Sequence, residues 1–540
     1  MTSPHSAQRG VSTAGPAQPV ETVDVLIVGS GPTGSAYARV LADEAPGARV
    51  LMVEAGPQVS SPRGRHVKNI TDPEARVAAQ TASQGPDRSA RDGDPVHSRP
   101  PGVMVRPGTY LLGDKASGVP GEDGSADGTV GMPGASLSTN VGGMGAHWTC
   151  ACPRPGDGER ITDIPAAELD TALGRADELL NVTTSAFTDA PFAEEVRKRL
   201  GAELDAGRKP ERRVRTMPLA VDTWSDGSRH WSGTDVILGD LAEKDTASFE
   251  LRPDTLCRRL LLEDSAAVGA EMEHLPSGRR TTVRARWVVV ACDALRTPQL
   301  LFASGIRPTA LGRYLNDQPQ IVVAVRLDPT ILAAARETAA AERPDATFNP
   351  VSGVSWVPYD HETHPFHGQV MQLDASPVPL DEEVEPGSIV GLGWFCAKDV
   401  RADDRVEFSA TEVDGFGMPA MTLHYQLTDV DQERIEAAKT AAARAARLLG
   451  TFLDPRGPRR LPSGSSLHYQ GTVRMGPADD GTSVCDTYSR VWGTDNVYVA
   501  GNGVIPTETA CNPTLTSVAL AARGAQDIAR RYREENAHVS

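Results

Sequence analysis

Gly29, Gly31 and Gly34 fall in the spacing G-x-G-x-x-G, and each glycine can do a separate job for a bound pyrophosphate. The first makes a tight turn, the second lets the backbone approach the phosphates, and the third permits close packing of helix on strand. Free N–H groups and the dipole at a helix N-terminus favour the negative charge. Glu54 follows about twenty residues later, where a carboxylate can accept both ribose hydroxyls. The reading is a dinucleotide site. The same spacing also occurs in an ordinary strand–turn–helix unit, and the turn alone does not separate FAD from NAD. Two other clusters could do chemistry. Cys150 and Cys152, on alternating strand geometry, would point the same way as a ligand pair, but no third or fourth ligand is placed nearby. His361, His364 and His367 have only a superficial metal spacing, because the glycines and prolines around them give no fixed helical face. No metal is expected.

The elements that must position these residues are legible in the hydrophobic pattern. VDVLIV, Val23 to Val28, is a continuous β-branched and aliphatic run, the pattern of a buried parallel strand. A helix is expected from Ser35 to Glu44 and a second strand from Arg49 to Val53, closing a βαβ unit. This is the nucleotide-binding half of a doubly wound α/β sheet. Trp287 to Ala291 (WVVVA) is expected to return to that sheet after a charged strand pair at Phe249 to Arg252 and Arg258 to Glu263. Asn496 to Ala500 (NVYVA), a Gly-rich turn and a helix from about Thr514 to Arg533 repeat the strand, turn, helix order. A long helix is expected from about Asp431 to Leu453. Residues 60 to 135 are rich in Gly, Pro, Asp and Arg and read mostly as loop, with one helix from Asp72 to Gln80, Asp72 capping it and Pro73 in its first turn.

Composition excludes several partners. With 54 basic and 71 acidic residues the formal charge is -17, which repels phosphate backbones and anionic lipid surfaces. No stretch approaches the roughly 20 apolar residues that cross a bilayer. Neither nucleic acid nor membrane is expected. A chain of 540 residues exceeds what one core usually organises, so two domains are the starting expectation. Residues 1–20 are small and polar and read as a disordered leader. The seven cysteines include no C-x-x-C pair, which points to reduced thiols in the cytoplasm. Oligomeric state is left open.

Further segments resemble the glucose-methanol-choline (GMC) family of FAD oxidoreductases. NVGGMGAHWTCACPRP (Asn140 to Pro155) resembles the flavin-contacting segment of the pyranose oxidase branch. WVVVACDALRTPQLLFASGI (Trp287 to Ile306), followed by LGRYLNDQP (Leu311 to Pro319), is similar to the family's second signature. HYQGTVRMG (His468 to Gly476) and NVYVAGNGVIPTETACNPTLT (Asn496 to Thr516) resemble its catalytic segments. HPFHGQVMQLDASP (His364 to Pro377) resembles the substrate loop of sugar oxidases, and HVKNITDP from His66 is more like the actinobacterial carbon 3 oxidases than the fungal carbon 2 enzymes.

The resemblance implies FAD as cofactor and oxidation of a secondary hydroxyl of a pyranose sugar or glycoside, at carbon 3 or carbon 2. Electrons would pass to O2 or to a quinone-type acceptor. His468 is implied as the base, since a neutral imidazole exists at physiological pH, and Asn512 as a hydrogen-bond partner of the substrate oxygen. From the residues themselves, His468 also reads as a satisfied buried histidine and Asn512 as a helix cap before Pro513. His147 corresponds to a histidine bonded covalently to flavin in fungal relatives, but Gly145 and Ala146 replace a polar pair there, which favours a non-covalent contact. Thr149 falls where the family hydrogen-bonds flavin near N5. Cys257 and Thr514 complete the expected cofactor contacts, with Asn512 counted among them. Gln369 and Asp374 are candidate substrate ligands. The implied fold is a Rossmann-like FAD-binding domain over 21–60, 136–159, 246–320 and 468–540, interleaved with a mixed sheet-and-helix (α+β) substrate domain over 160–245 and 321–467. Residues 61–135 are a lid or insertion. Competing readings are a GMC oxidase of choline, methanol or an aromatic alcohol, and a flavin-binding interaction protein without turnover.

Overall fold

A strand whose residues are apolar on both faces has to be covered on both faces, and Val25, Leu26 and Ile27 are wholly buried. In the computed structural model they lie in β1 (Glu21–Val28), which the tight turn links to α1 (Pro32–Glu44) and then β2 (Val50–Val53). The structure describes residues 21–84, 104–106, 109–111, 131–132, 134–187, 190–225, 227–342, 353–373, 376, 384–385 and 387–537. The expected leader at 1–20, much of the 61–135 segment and Asp374 lie outside the described residues. Burying each of these side chains stabilises the fold by about 1.5–3 kcal/mol, so the run belongs at the centre of a sheet.

That sheet is built on β3 (Phe249–Arg252), β4 (Arg279–Val290) and β5 (Val497–Val499) besides the first two. The spatial order β3-β2-β1-β4-β5 is parallel throughout. β4 has three partners: β1 lies parallel along one edge, while along the other Val288 to Val290 run parallel to β5 and the first half lies antiparallel to the strand Ala266–His274. The sequence reading caught only the buried end of β4, because the stretch from Arg279 to Arg286 is mostly polar and exposed. The expected strand pair near 249–263 is corrected. Both strands form, but Phe249–Arg252 pairs with β2, and Thr255–Glu263 pairs instead with Ala266–His274. The C-terminal helix α2 (Thr514–Ala537) packs on α1 and on a helix at Ala166–Leu180.

The second sheet is antiparallel, in the order Gly450–Phe452, Gln320–Leu327, Ile389–Cys396, Phe366–Gln372, Val354–Val357, Arg215–Thr216. The helix Asp429–Leu449 packs against it. It starts two residues earlier than the pattern suggests because Thr428 and Asp431 form a reciprocal capping box. It ends earlier because Gly450–Phe452 leaves to pair with Gln320–Leu327. The helix expected at Asp72 to Gln80 runs from Pro73 to Gln84, and Asp72 accepts from Ala75 N at 2.7 Å as its cap. Two short strands, Met104–Arg106 and Thr109–Leu111, join Ser136–Ser138 in a small antiparallel sheet. Among the described residues, no helix is long and apolar enough to cross a membrane.

Candidate active site

The glycine turn is shaped by sterics. Gly29 has φ 105°, in the left-handed region that side chains disfavour, and a Cβ there would collide with the Ala291 carbonyl, one residue past β4. A Cβ on Gly34 would strike the Gly29 carbonyl, so this glycine sets how closely α1 sits on the turn. Gly31 is the N-cap of α1, and a Cβ on it would meet open space. Glu54, immediately after β2, is buried; it accepts from Ser30 N at 3.1 Å and Ser30 Oγ at 2.8 Å, and from Gly56 N at 3.0 Å. Burial raises its pKa, against the lowering effect of those hydrogen bonds.

One cavity of about 780 Å³ is lined by Gly29, Gly31 and Glu54, and by His147, Thr149, Cys257, His468, Asn512 and Thr514. Segments more than 450 residues apart in the chain thus share a wall, as Gly29 and Asn512 show. Gly34 serves the packing behind the turn rather than the wall. An elongated dinucleotide suits this space: backbone N–H groups at a helix N-terminus for the phosphates, a buried carboxylate for a ribose, and histidine and amide groups farther along.

His468 and Asn512 meet, with Asn512 Nδ2 3.2 Å from His468 Nε2. Burial alone pushes the imidazole down to about 4, so it is neutral at pH 7. Two buried acids hold the loops that carry the pair. Asp317 accepts from Gly464 N at 2.9 Å, from His468 N at 3.3 Å and from the Ser466 hydroxyl. Glu159 accepts from Ala510 N at 2.7 Å and Cys511 N at 3.0 Å with one oxygen, and from Gly156 N at 2.7 Å with the other. Gln318 completes the cradle. Its Oε1 is 2.7 Å from His468 Nδ1, and its Nε2 donates to Thr509 Oγ1 at 3.1 Å and to the Cys511 carbonyl at 2.7 Å.

Gln369 lies behind the cavity wall and is buried; its Nε2 donates to Asn512 Oδ1 at 2.6 Å and sits 3.0 Å from His367 Nε2. His367 Nδ1 in turn accepts from Trp356 Nε1 at 3.0 Å. His147 Nε2 is 2.7 Å from Ser138 Oγ, and burial pushes its pKa down to about 3, opposed by a hydrogen bond to its own backbone. Thr149 is exposed toward the cavity, and the Cys257 thiol, pushed up to about 12 by burial, is inert as a nucleophile at neutral pH. Cys150 and Cys152 are both buried, but Cys150 has φ 59°, which breaks the strand alternation expected to align them. Among the described residues, no group of three or more His, Cys, Asp or Glu side chains could hold a metal ion.

Sequence reasoning did not single out Gln318, Asp317 or Glu159. The first two stand in LGRYLNDQP, where a polar pair before a proline looks like a surface turn, and Glu159 stands in GDGER, which looks like solvent-facing loop. Asp317 and Gln318 stand inside the LGRYLNDQP segment of the resemblance, but nothing in the segment itself distinguishes them from solvent-facing polar residues.

A glycine turn on a parallel sheet that shares a cavity with a neutral histidine and an amide is the arrangement a nucleotide-dependent oxidoreductase needs. GMC oxidoreductase family models match residues 220–320 and 402–521. The chain is 55% identical to C-glycoside 3-oxidase of Arthrobacter globiformis over 94% of this chain and 95% of that one. It is 53% identical to C-glycoside 3-oxidase of Microbacterium trichothecenolyticum over 96% and 98%, and 32% identical to pyranose 2-oxidase of Tricholoma matsutake over 94% of each. The fold is similar to that of formate oxidase from Aspergillus oryzae, with TM-score 0.63 at 15% identity, covering 96% of this chain and 100% of that one. The chain belongs to the GMC oxidoreductase family, whose members bind FAD, and it is an FAD-dependent oxidoreductase acting on a CH–OH donor.

Proposed function

We propose that this enzyme oxidises the carbon 3 hydroxyl of a pyranose glycoside to a ketone. The observation that carries the reading is the 55% and 53% identity, over nearly the whole of each chain, to two relatives named C-glycoside 3-oxidase, against 32% to a pyranose 2-oxidase. FAD, when bound, supplies the acceptor for the hydride that leaves carbon. Gly29, Gly31 and the N-terminus of α1 hold its pyrophosphate and Glu54 its adenosine ribose, with His147, Thr149, Cys257 and Thr514 as further contacts. His147 makes a non-covalent contact, because Ser138 and its own backbone already engage its ring.

His468 Nε2 takes the hydroxyl proton, and neutrality at pH 7 makes it ready to do so. Asn512 Nδ2, beside that nitrogen, donates to the substrate oxygen as negative charge develops on it. Gln369 holds the Asn512 amide from behind. The two electrons and two protons taken from the alcohol leave to O2, giving H2O2, or to a quinone-type acceptor. Seven unpaired thiols support a reducing, cytoplasmic setting.

The test is to incubate the enzyme with glucose and with O- and C-glucosides and to locate the new ketone by NMR. A carbon 3 ketone from a glycoside is expected. A carbon 2 ketone would overturn the regiochemistry, and flavin bleaching by choline or benzyl alcohol but by no sugar would overturn the substrate class.

A further inference from the structure

We infer that Gln318 is a positioning residue that fixes which nitrogen of His468 acts as the base; this rests on the reading of His468 as base. The argument is one of donors and acceptors. A main-chain carbonyl can only accept, so the Gln318 atom 2.7 Å from the Cys511 oxygen is the amide nitrogen, with its second hydrogen directed to Thr509 Oγ1 at 3.1 Å. The remaining atom, 2.7 Å from His468 Nδ1, is therefore the amide oxygen. That oxygen accepts only, so Nδ1 of the neutral imidazole carries the proton and Nε2 presents its lone pair. Nε2 is the nitrogen beside Asn512 Nδ2. The amide thus points the basic nitrogen at the place where the substrate hydroxyl must sit.

The choice of an amide has a consequence of its own. A carboxylate in the same place would orient the ring equally well, but its charge would hold the imidazole protonated to higher pH. Gln318 orients without adding charge, which leaves the ring ready to accept a proton over a wider pH range. Asn512 Nδ2, a donor beside Nε2, favours the same tautomer from the other side of the ring, and Gln318 supplies the acceptor that the Nδ1 proton needs. Asp317 reaches only the main-chain nitrogen of His468, Phe395 covers the ring at a centroid separation of 5.4 Å, His367 touches Gln369 and the Asn512 amide, and Glu159 bonds the backbone of Ala510 and Cys511. The same Gln318 amide also ties the His468 loop to the segment that presents Asn512.

The test uses the flavin-loaded enzyme and three variants. In the parent, 15N NMR of His468, assigned by the resonance missing from His468→Ala, is expected to show Nδ1 protonated at pH 7. Gln318→Met removes the acceptor of the Nδ1 proton and should loosen the ring's tautomer and orientation, lowering the rate constant for anaerobic flavin reduction by about tenfold or more, with KM little changed and FAD retained. Gln318→Glu should move the acid limb of that rate upward by about 1–3 pH units. A parent protonated at Nε2, or Gln318→Met and Gln318→Glu variants with the parental rate and pH profile, would overturn the inference. If His468→Ala itself reduces flavin at the parental rate, the reading of His468 as base fails instead.

Discussion

The base proposed at His468 must be unprotonated at neutral pH, and burial alone achieves that. Its protonated form is disfavoured until about pH 4, so the neutral, proton-accepting form is present above that value and lost as pH falls through it. The rate constant for anaerobic flavin reduction should therefore stay flat from pH 7 down to about 5 and fall only near 4, not near the ordinary histidine value of about 6.5. Replacing the side chain by Ala should lower the same rate by about 100- to 10,000-fold while the purified protein stays yellow. An acid limb near 6.5 would mean that the ring is hydrated in solution. At this scale the sequence was informative where a residue sat in a recognisable motif, as His468 and Asn512 do. The roles of Gln318 and Glu159 were not visible, because a polar side chain in a loop has the same sequence signature whether it faces water or holds another loop. Gln369 was visible as part of a motif, but its place behind Asn512 depends on the pairing of its strand with Ile389–Cys396 and Val354–Val357, a long-range contact that no local pattern encodes.

Elements carry the glycine turn. Gly34 lies where α1 leaves the turn, and any side chain there must push the helix from the Gly29 carbonyl. Gly34→Ala should cost about 1–3 kcal/mol through overpacking and weaken FAD binding, read as a lower melting temperature and a lower ratio of flavin to protein after purification. Gly31→Ala, where a Cβ meets open space, is the contrasting variant: its effect should fall on cofactor binding with little change in the stability of the apo chain. The βαβ unit was legible because three independent signals agree there: β-branched strands, glycine spacing and a helix of Ala-rich composition. The first half of β4 was not, because its exposed charges mask a strand that only its neighbours define. The early end of the Asp429–Leu449 helix was missed for a similar reason, since Gly450 leaves the helix to pair with a strand more than a hundred residues earlier in the chain.

For the molecule as a whole, the cavity proposed for FAD is a place where distant segments meet, so binding there should tie them together. Acid precipitation should release the flavin into the supernatant, as a non-covalent contact at His147 requires, and the apo chain should melt at lower temperature than the holoenzyme. FAD at a thousand times its dissociation constant would account for about 4 kcal/mol of the difference. Flavin that stays with the precipitate would place a covalent bond in the site. The order of strands in the parallel sheet has a consequence in time. β1 forms early in synthesis and finds β2 within a few dozen residues, yet its other edge waits for β4 and the sheet is closed only by β5, at residues 497–499. At about 5–20 residues per second, the ribosome needs roughly half a minute to nearly two minutes to deliver a chain of this length. Until the C-terminal strand emerges the growing sheet presents an unpaired apolar edge, first that of β1 and then Val288 to Val290 of β4, each a template on which another chain could pair.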